Sequence, residues 1–194
     1  MGGEPLLIRW TSDFDCGLDT GWWYEICDKP FDVSSLKAKR RNVVNNGIKY
    51  CEVKEIKPLE FTDDLFEVFY LASKTYGMEA NKPNFINYLR GLTGSYVVYG
   101  AFFRESSRLC GYAVIHRCSD YIELQSQKAL PEYEKFQVNA ALVYTVLEAY
   151  KDDLCNGKYI CDGARSIVHK TSFQSYLEKY FGFRKAFISF PKDD

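Results

Sequence analysis

Apolar and polar positions follow a regular order along most of this chain, and from residue 49 that order is clear. "KYCEVKEI" alternates with period two and predicts a strand. "TDDLFEVFYLASKTYG" carries Leu65, Phe66, Phe69, Tyr70, Ser73 and Tyr76 at helical spacing. Thr62 suits its cap, Asp63 and Asp64 suit its positive end, and Gly77 suits its close. A shorter helix is expected from Pro83 to Leu89, with proline in the first turn. Three strand-like runs follow, "SYVVYGAFF", "RLCGYAVIHRC" and "YIELQSQKA". Their short polar links predict antiparallel hairpins.

A long helix is expected next, over about 132–153, and its two apolar stripes predict burial against more than one neighbour. One stripe is Phe136, Ala140, Val143, Leu147 and Tyr150; the other is Val138, Leu142, Val146 and Ala149. "KYICDG" reads as a short strand. "TSFQSYLEKYFG" reads as a helix with a Thr171-x-x-Gln174 capping box and the stripe Phe173, Tyr176, Leu177, Tyr180. "FRKAFISF" is the last strand. The order from residue 49 is β-α-α-β-β-β-α-β-α-β. It predicts an α/β (α+β) fold with a mixed, mostly antiparallel sheet and helices on both faces. If the strands joined by the long helix are parallel, that helix should form a right-handed crossover.

Residues 1–48 have a different texture and read as an extension packed on a main domain of 49–194. "PLLIRW" and "WWYEIC" suit short strands, with Asp13, Asp15, Gly17, Asp19 and Gly21 marking turns between them. "DVSSLKAKRRNVVNNG" predicts a helix capped by Asp32 or Ser34, with Gly47 at the left-handed position after its end. Lys37, Lys39, Arg40 and Arg41 cluster on it, either as a solvated face or as an anion-binding patch.

Composition narrows the class. The 194 residues suffice for one domain with a real core. The net charge of -1 argues against a general nucleic-acid binder, which needs surplus cations to neutralise phosphates. Seven cysteines are scattered without a C-x-x-C pair, and two histidines accompany them. That spacing argues against a structural zinc site, so no metal is expected; it fits a reducing, cytoplasmic compartment. No apolar run approaches the roughly 20 residues of a membrane helix, so no membrane partner is expected.

The element order, the Gly-x-Ala pattern of "SRLCGYAVIH" and the ending "YLEKYFGFRKA" together resemble the GNAT acyltransferase superfamily over about 49–194. "FDVSSLKAKRRNVVNNG" resembles the helix that precedes the acyltransferase-like half in Fem-type aminoacyl ligases. Some of those take their acyl group from aminoacyl-tRNA in place of coenzyme A.

The resemblance implies an acyl donor held where two central strands part, here about 121–129 and 158–162. Backbone at Leu124, Gln125, Ser126, Gln127 and Lys128 would hold the thioester and its oxyanion. The start of the long helix would hold pyrophosphate, with Lys135, Gln137 and Asn139 nearby. The matching stretch "EKFQVNA" puts Glu134 for the family's Gln/Arg, and Gln137 and Asn139 for its glycines. Tyr176 or Tyr180 matches the family's acid, and Glu123 is the candidate base. These positions also suit core stripes and a solvent-facing strand residue.

In "DGARSIVHKT", Asp162, Arg165, Ser166 and His169 crowd one turn that the resemblance places at the cleft. Asp162, Arg165 and Ser166 are candidates for substrate binding and His169 for proton movement; helix capping and solvation explain the same residues. A Ser–His–Asp hydrolase is disfavoured because there is no nucleophile elbow.

The expected activity is transfer of an acyl group, from acetyl-CoA or another acyl-CoA, to a small-molecule or peptide amine. The alternatives are a Fem-like transferase using charged tRNA and a non-catalytic binding module on the same fold.

Overall fold

The computed structural model describes residues 13–165 and 172–189. Eight strands form one sheet: β1 (Asp13–Phe14), β2 (Trp23–Cys27), β3 (Cys51–Ile56), β4 (Tyr96–Phe103), β5 (Leu109–Arg117), β6 (Tyr121–Ala129), β7 (Tyr159–Ala164) and β8 (Arg184–Ser189). Their spatial order is β1-β8-β2-β7-β6-β5-β4-β3. Every neighbouring pair is antiparallel except β6 and β7. The helices are α1 (Ala38–Tyr50), α2 (Thr62–Lys74), α3 (Lys82–Gly91), α4 (Val138–Ala149), α5 (Lys151–Cys155) and α6 (Ser172–Phe181).

From β3 onward the order is the one the periodicities predict. Strands β4 to β6 form a meander, because period-two runs joined by short polar links pair with their neighbours; β3 adds antiparallel to β4 after the two-helix connection α2–α3. Helix α4 then carries the chain to the parallel strand β7. Two adjacent residues of β5 show the layering. A Cβ on Gly111 would touch Val138 and Leu142 of α4, while the Tyr112 ring packs on Phe85 of α3. Successive strand residues face opposite ways, so α4 and α3 cover opposite faces. Helix α4 is buried nearly all round, through Val138, Ala140 to Val143, Val146 and Leu147, as its two apolar stripes require.

Four details differ from expectation. Helix α1 begins at Ala38, after a 3-10 turn (Val33–Ser35) that Asp32 caps by accepting from the Ser34 N–H. It runs on to Tyr50, so Gly47 lies inside the helix and is no terminal cap. Its role is close packing: a Cβ there would sit 2.7 Å from the Gln137 carbonyl oxygen and 2.8 Å from the Ala141 nitrogen. The long helix is divided. A 3-10 turn covers Pro131–Phe136, Gln137 adopts a left-handed φ of 62°, and α4 then starts, with the Ala140 and Ala141 N–H groups donating to the Gln137 carbonyl. Thr62 is the first residue of α2, its hydroxyl donating to the Leu59 carbonyl. Gly77, by contrast, takes the expected left-handed conformation just beyond α2.

The largest difference concerns the extension. Strand β2 is inserted into the sheet between β7 and β8, pairing Tyr24 with Ala164 on one side and with Ala186 on the other. Arg184 ties this region further, donating to both oxygens of Asp15 and to Asp28. "PLLIRW", Ser166, His169 and Thr171 lie outside the described residues.

Candidate active-site cleft

Strand β6 pairs with β7 only through Tyr121–Tyr159, Ile122–Ile160 and Glu123–Cys161. Beyond that point β7 keeps its partner β2, β6 keeps its partner β5, and the two strands part. The parting coincides with irregular registers on both. On the β5 side Val114 pairs with Ser126 and Ile115 with Leu124, so Gln125 is the extra residue of a bulge. On the β2 side Glu25 pairs with Gly163 and Ile26 with Cys161, so Asp162 is passed over. Bulges bend a strand and raise its local twist. Two of them at one level open the sheet there.

The opening is a cavity of about 390 Å³ walled by Leu124 to Ala129 of β6, Asp162, Asn139 of α4, Phe173 of α6, Tyr76 and Glu134. All five expected donor-holding residues of β6 are in its wall. A neighbouring groove continues past Glu134, Gln137 and Asn139 to Tyr176. A third hollow, between β6 and α3, shares Gln125 and Ser126 and adds Glu79, Asn84 and Tyr88; the Tyr88 hydroxyl donates to Gln125 Oε1 at 3.4 Å.

The cavity's charged groups are perturbed. Burial pushes the Asp162 carboxyl up to about 7, against a hydrogen bond from the Gln174 side chain that lowers it. Burial also holds the Lys128 ammonium below its ordinary value, and its Nζ lies 5.6 Å from the Tyr76 ring centre. Burial, reinforced by nearby Tyr180, raises the Tyr176 phenol. The Tyr176 hydroxyl is buried and has no hydrogen-bond partner among the described residues. Gln127 Nε2 donates to Asn139 Oδ1 at 3.0 Å, fixing the strand against the start of α4.

Other expected site residues lie elsewhere. Glu123 sits at the closed end of the parting strands, with its Oε2 3.3 Å from His116 Nδ1, in the wall of a separate hollow with Tyr24, Tyr121 and Tyr159. Arg165 donates to the Gly21 carbonyl and stacks over Trp22 and Trp23, at 5.4 and 4.9 Å. Its planar cation is thus engaged by the turn before β2. Lys135 lies over the Phe136 ring at 5.0 Å. Tyr180 packs on Tyr176, ring centres 4.9 Å apart.

One group escaped the sequence reading. Glu25 of β2 is fully buried, and among the described residues its carboxyl oxygens meet no hydrogen-bond partner other than the Glu178 carboxyl. Burial, then the charges of Glu178 and Asp162, push it up to about 8 despite Lys185. Its signal was a lone acid inside the apolar run "WWYEIC".

The groove at the start of α4 does not fit a coenzyme A pyrophosphate. A phosphate cradle needs bare N–H groups at a helix start. Here the side chains of Gln137 and Asn139 line the groove and the Glu134 carboxylate adds negative charge. Gly47 of α1 is pressed against the same helix start.

No protein-family model matches the sequence, and no characterised protein matches it significantly by sequence. Solved structures do match. FemX superposes with a TM-score of 0.64 at 9% identity, covering 84% of this chain and 59% of FemX. L-PGS from Bacillus licheniformis superposes at 0.55 and 14% identity, covering 89% and 60%. The aminoglycoside antibiotic 6'-N-acetyltransferase AAC(6')-Ih from Acinetobacter baumannii superposes at 0.52 and 14% identity, covering 74% and 99%. This chain therefore spans about three fifths of the first two proteins. Among the described residues, no helix is long and apolar enough to cross a membrane. With its parted β6 and β7 and these structural neighbours, the chain has a GNAT-like fold with Fem-type structural relatives.

Proposed function

We propose that the chain transfers an activated acyl group to an amine within the cleft between β6 and β7. The observation that carries this reading is the open edge of β6 beyond Glu123, with the bulge at Gln125 and the Asp162 carboxyl in the same wall. Backbone N–H groups along that edge are placed to receive a carbonyl oxygen and the negative charge it gains on attack. Asp162 takes a proton from the attacking amine; a carboxyl that titrates near 7 is well matched to that task. The amine nitrogen bonds to the carbonyl carbon, and the bond to the leaving sulfur or oxygen breaks. Tyr176, which keeps its proton at neutral pH, is the candidate to protonate that leaving group. Lys128 offers a cation to an anionic part of either substrate. The hollow between β6 and α3, with Glu79 in its wall, suits a positively charged acceptor.

Two donors remain to be separated: an acyl thioester such as acetyl-CoA, and an aminoacyl ester of tRNA. The side chains of Glu134, Gln137 and Asn139 at the α4 groove favour a donor whose phosphates do not sit there, and the basic residues Lys37 to Arg41 support the second. The test is a thermal-shift titration with acetyl-CoA, desulfo-coenzyme A and an aminoacylated acceptor-stem RNA, followed by single-turnover transfer to a panel of amines. A ligand that binds the native state raises the melting temperature. A saturable rise with one donor, and acyl transfer from it that Asp162→Asn removes, supports the proposal. Saturable binding without transfer to any amine would assign the cleft to a non-catalytic binding module.

A further inference from the structure

We propose that His116, Cys118 and Glu123 form a zinc-type metal site at the turn of the β5–β6 hairpin, separate from the cleft and independent of the function read there. The hairpin is a tight frame. Cys118 N–H donates to the Tyr121 carbonyl at 3.0 Å, and His116 and Glu123 are direct partners in the β5–β6 register. Register partners project to the same face of a sheet. The hairpin therefore brings together three ligand types that are two, five and seven positions apart.

The geometry is convergent. His116 Nδ1 is 3.3 Å from Glu123 Oε2 and 3.5 Å from Cys118 Sγ, and the three ligand atoms all lie within 4.8 Å of one another. A tetrahedral zinc ion with ordinary bond lengths would set these separations at about 3.3 Å for nitrogen to oxygen and about 3.6 Å for nitrogen to sulfur. The imidazole is held flat against Tyr96, ring centres 4.3 Å apart and 13° from parallel. A ligand held in place needs little reorganisation to bind.

Hydrogen bonding alone explains this cluster poorly. A nucleophile–imidazole–carboxylate relay places its two partners on opposite ring nitrogens. Here both partners approach Nδ1, which carries at most one proton and can satisfy one of them, while the Cys118 sulfur also meets the Tyr121 hydroxyl. An ion among the three atoms satisfies all of them. A thiolate, an imidazole and a carboxylate together select a borderline ion of the zinc type over magnesium or calcium, which take oxygen ligands. Three protein ligands leave a fourth position for water or a small ligand. Glu123 also lines the aromatic hollow of Tyr24, Tyr121 and Tyr159, which borders the site.

The test uses the full chain, stripped by a chelator and titrated with Zn²⁺ against a colorimetric chelator and with Co²⁺ by absorbance. One ion per chain and a sulfur-to-cobalt charge-transfer band in the near ultraviolet are expected. Cys118→Ser retains the other six cysteines and should abolish the band. Glu123→Gln should weaken Zn²⁺ binding by at least about tenfold. Far-ultraviolet circular dichroism confirms that each variant is folded. The cobalt spectrum of the unaltered chain reports sulfur ligation even if a variant fails to fold. Absence of bound ion, absence of the charge-transfer band, or binding unchanged by Cys118→Ser would each overturn the proposal.

Discussion

After burial and the charge of Glu178, the charge of Asp162 raises the pKa of Glu25 across the β2–β7 pair, at the point where the register between those strands slips. Two carboxyl groups thus share the covered flank of the cleft, and each is pushed toward neutrality by burial first. One of them, Asp162, reaches the cavity wall.

Asp162 should set the alkaline rise of activity. Its pKa is raised from the ordinary 3.8 to about 7, so the proton-accepting form appears as pH climbs through about 7. The rate of acyl transfer should rise over that window and level above it. Asp162→Asn should lower the rate by about 10²–10⁴-fold and remove the rise. A variant that keeps the wild-type pH profile would assign the base elsewhere.

Tyr176→Phe separates chemistry from packing. The hydroxyl is buried without a partner, so its loss removes an unsatisfied polar group and leaves the ring contacts intact. The melting temperature should be no lower than that of the unaltered chain, while turnover falls by about 10²-fold or more. A matched loss of stability would mean that the hydroxyl serves the fold.

Glu25 should make stability depend on pH. Its folded pKa, about 8, lies above the ordinary 4.5, so the folded chain holds a proton that the unfolded chain releases. Stability is fully present below about 4.5, falls as pH rises toward about 8, and is then constant as far as this group is concerned. Glu25→Gln keeps the shape and cannot ionise. Thermal melts at about pH 5 should find the two chains alike, and melts at about pH 9 should find the variant more stable. Equal melting at both would show that Glu25 is ionised when folded.

Gly47→Ala tests the α1–α4 contact. The added methyl would meet backbone atoms of Gln137 and Ala141 at 2.7 and 2.8 Å, and backbone cannot rotate away. Overpacking of this kind costs about 1–3 kcal/mol. Urea unfolding should show a lower midpoint with an unchanged slope; an unchanged midpoint would mean that the backbone of α4 yields to the methyl.

Much of this architecture was legible because local periodicity encodes it. The run "YIELQSQKA" predicts β6 to the residue, and Leu124 to Lys128 do line the cleft. What was not legible depends on partners far along the chain. Glu25 alternates with Tyr24 and Ile26 as a solvent-facing residue would; its burial and the acid groups that act on it, Glu178 and Asp162, belong to the folded chain and come from its other end. Gly47 reads as a cap until α4 is seen against it. Arg165 resembles a substrate ligand in sequence, and the Trp22–Trp23 pair that engages it lies far away in the chain. His116, Cys118 and Glu123 match no familiar metal spacing, because it is the hairpin register that gathers them.

The place of β2 between β7 and β8 has a consequence for how the molecule is made. Trp23 must wait for Phe187, and Tyr24 for Ala164, its strand partners from the other end of the chain. The meander of β4 to β6 can assemble from near neighbours as it leaves the ribosome. The half of the sheet that flanks the cleft closes only after synthesis has passed β8. Long-range pairing of this kind slows folding. The β7–β2–β8 side of the cleft therefore takes its final shape after the β4–β6 side.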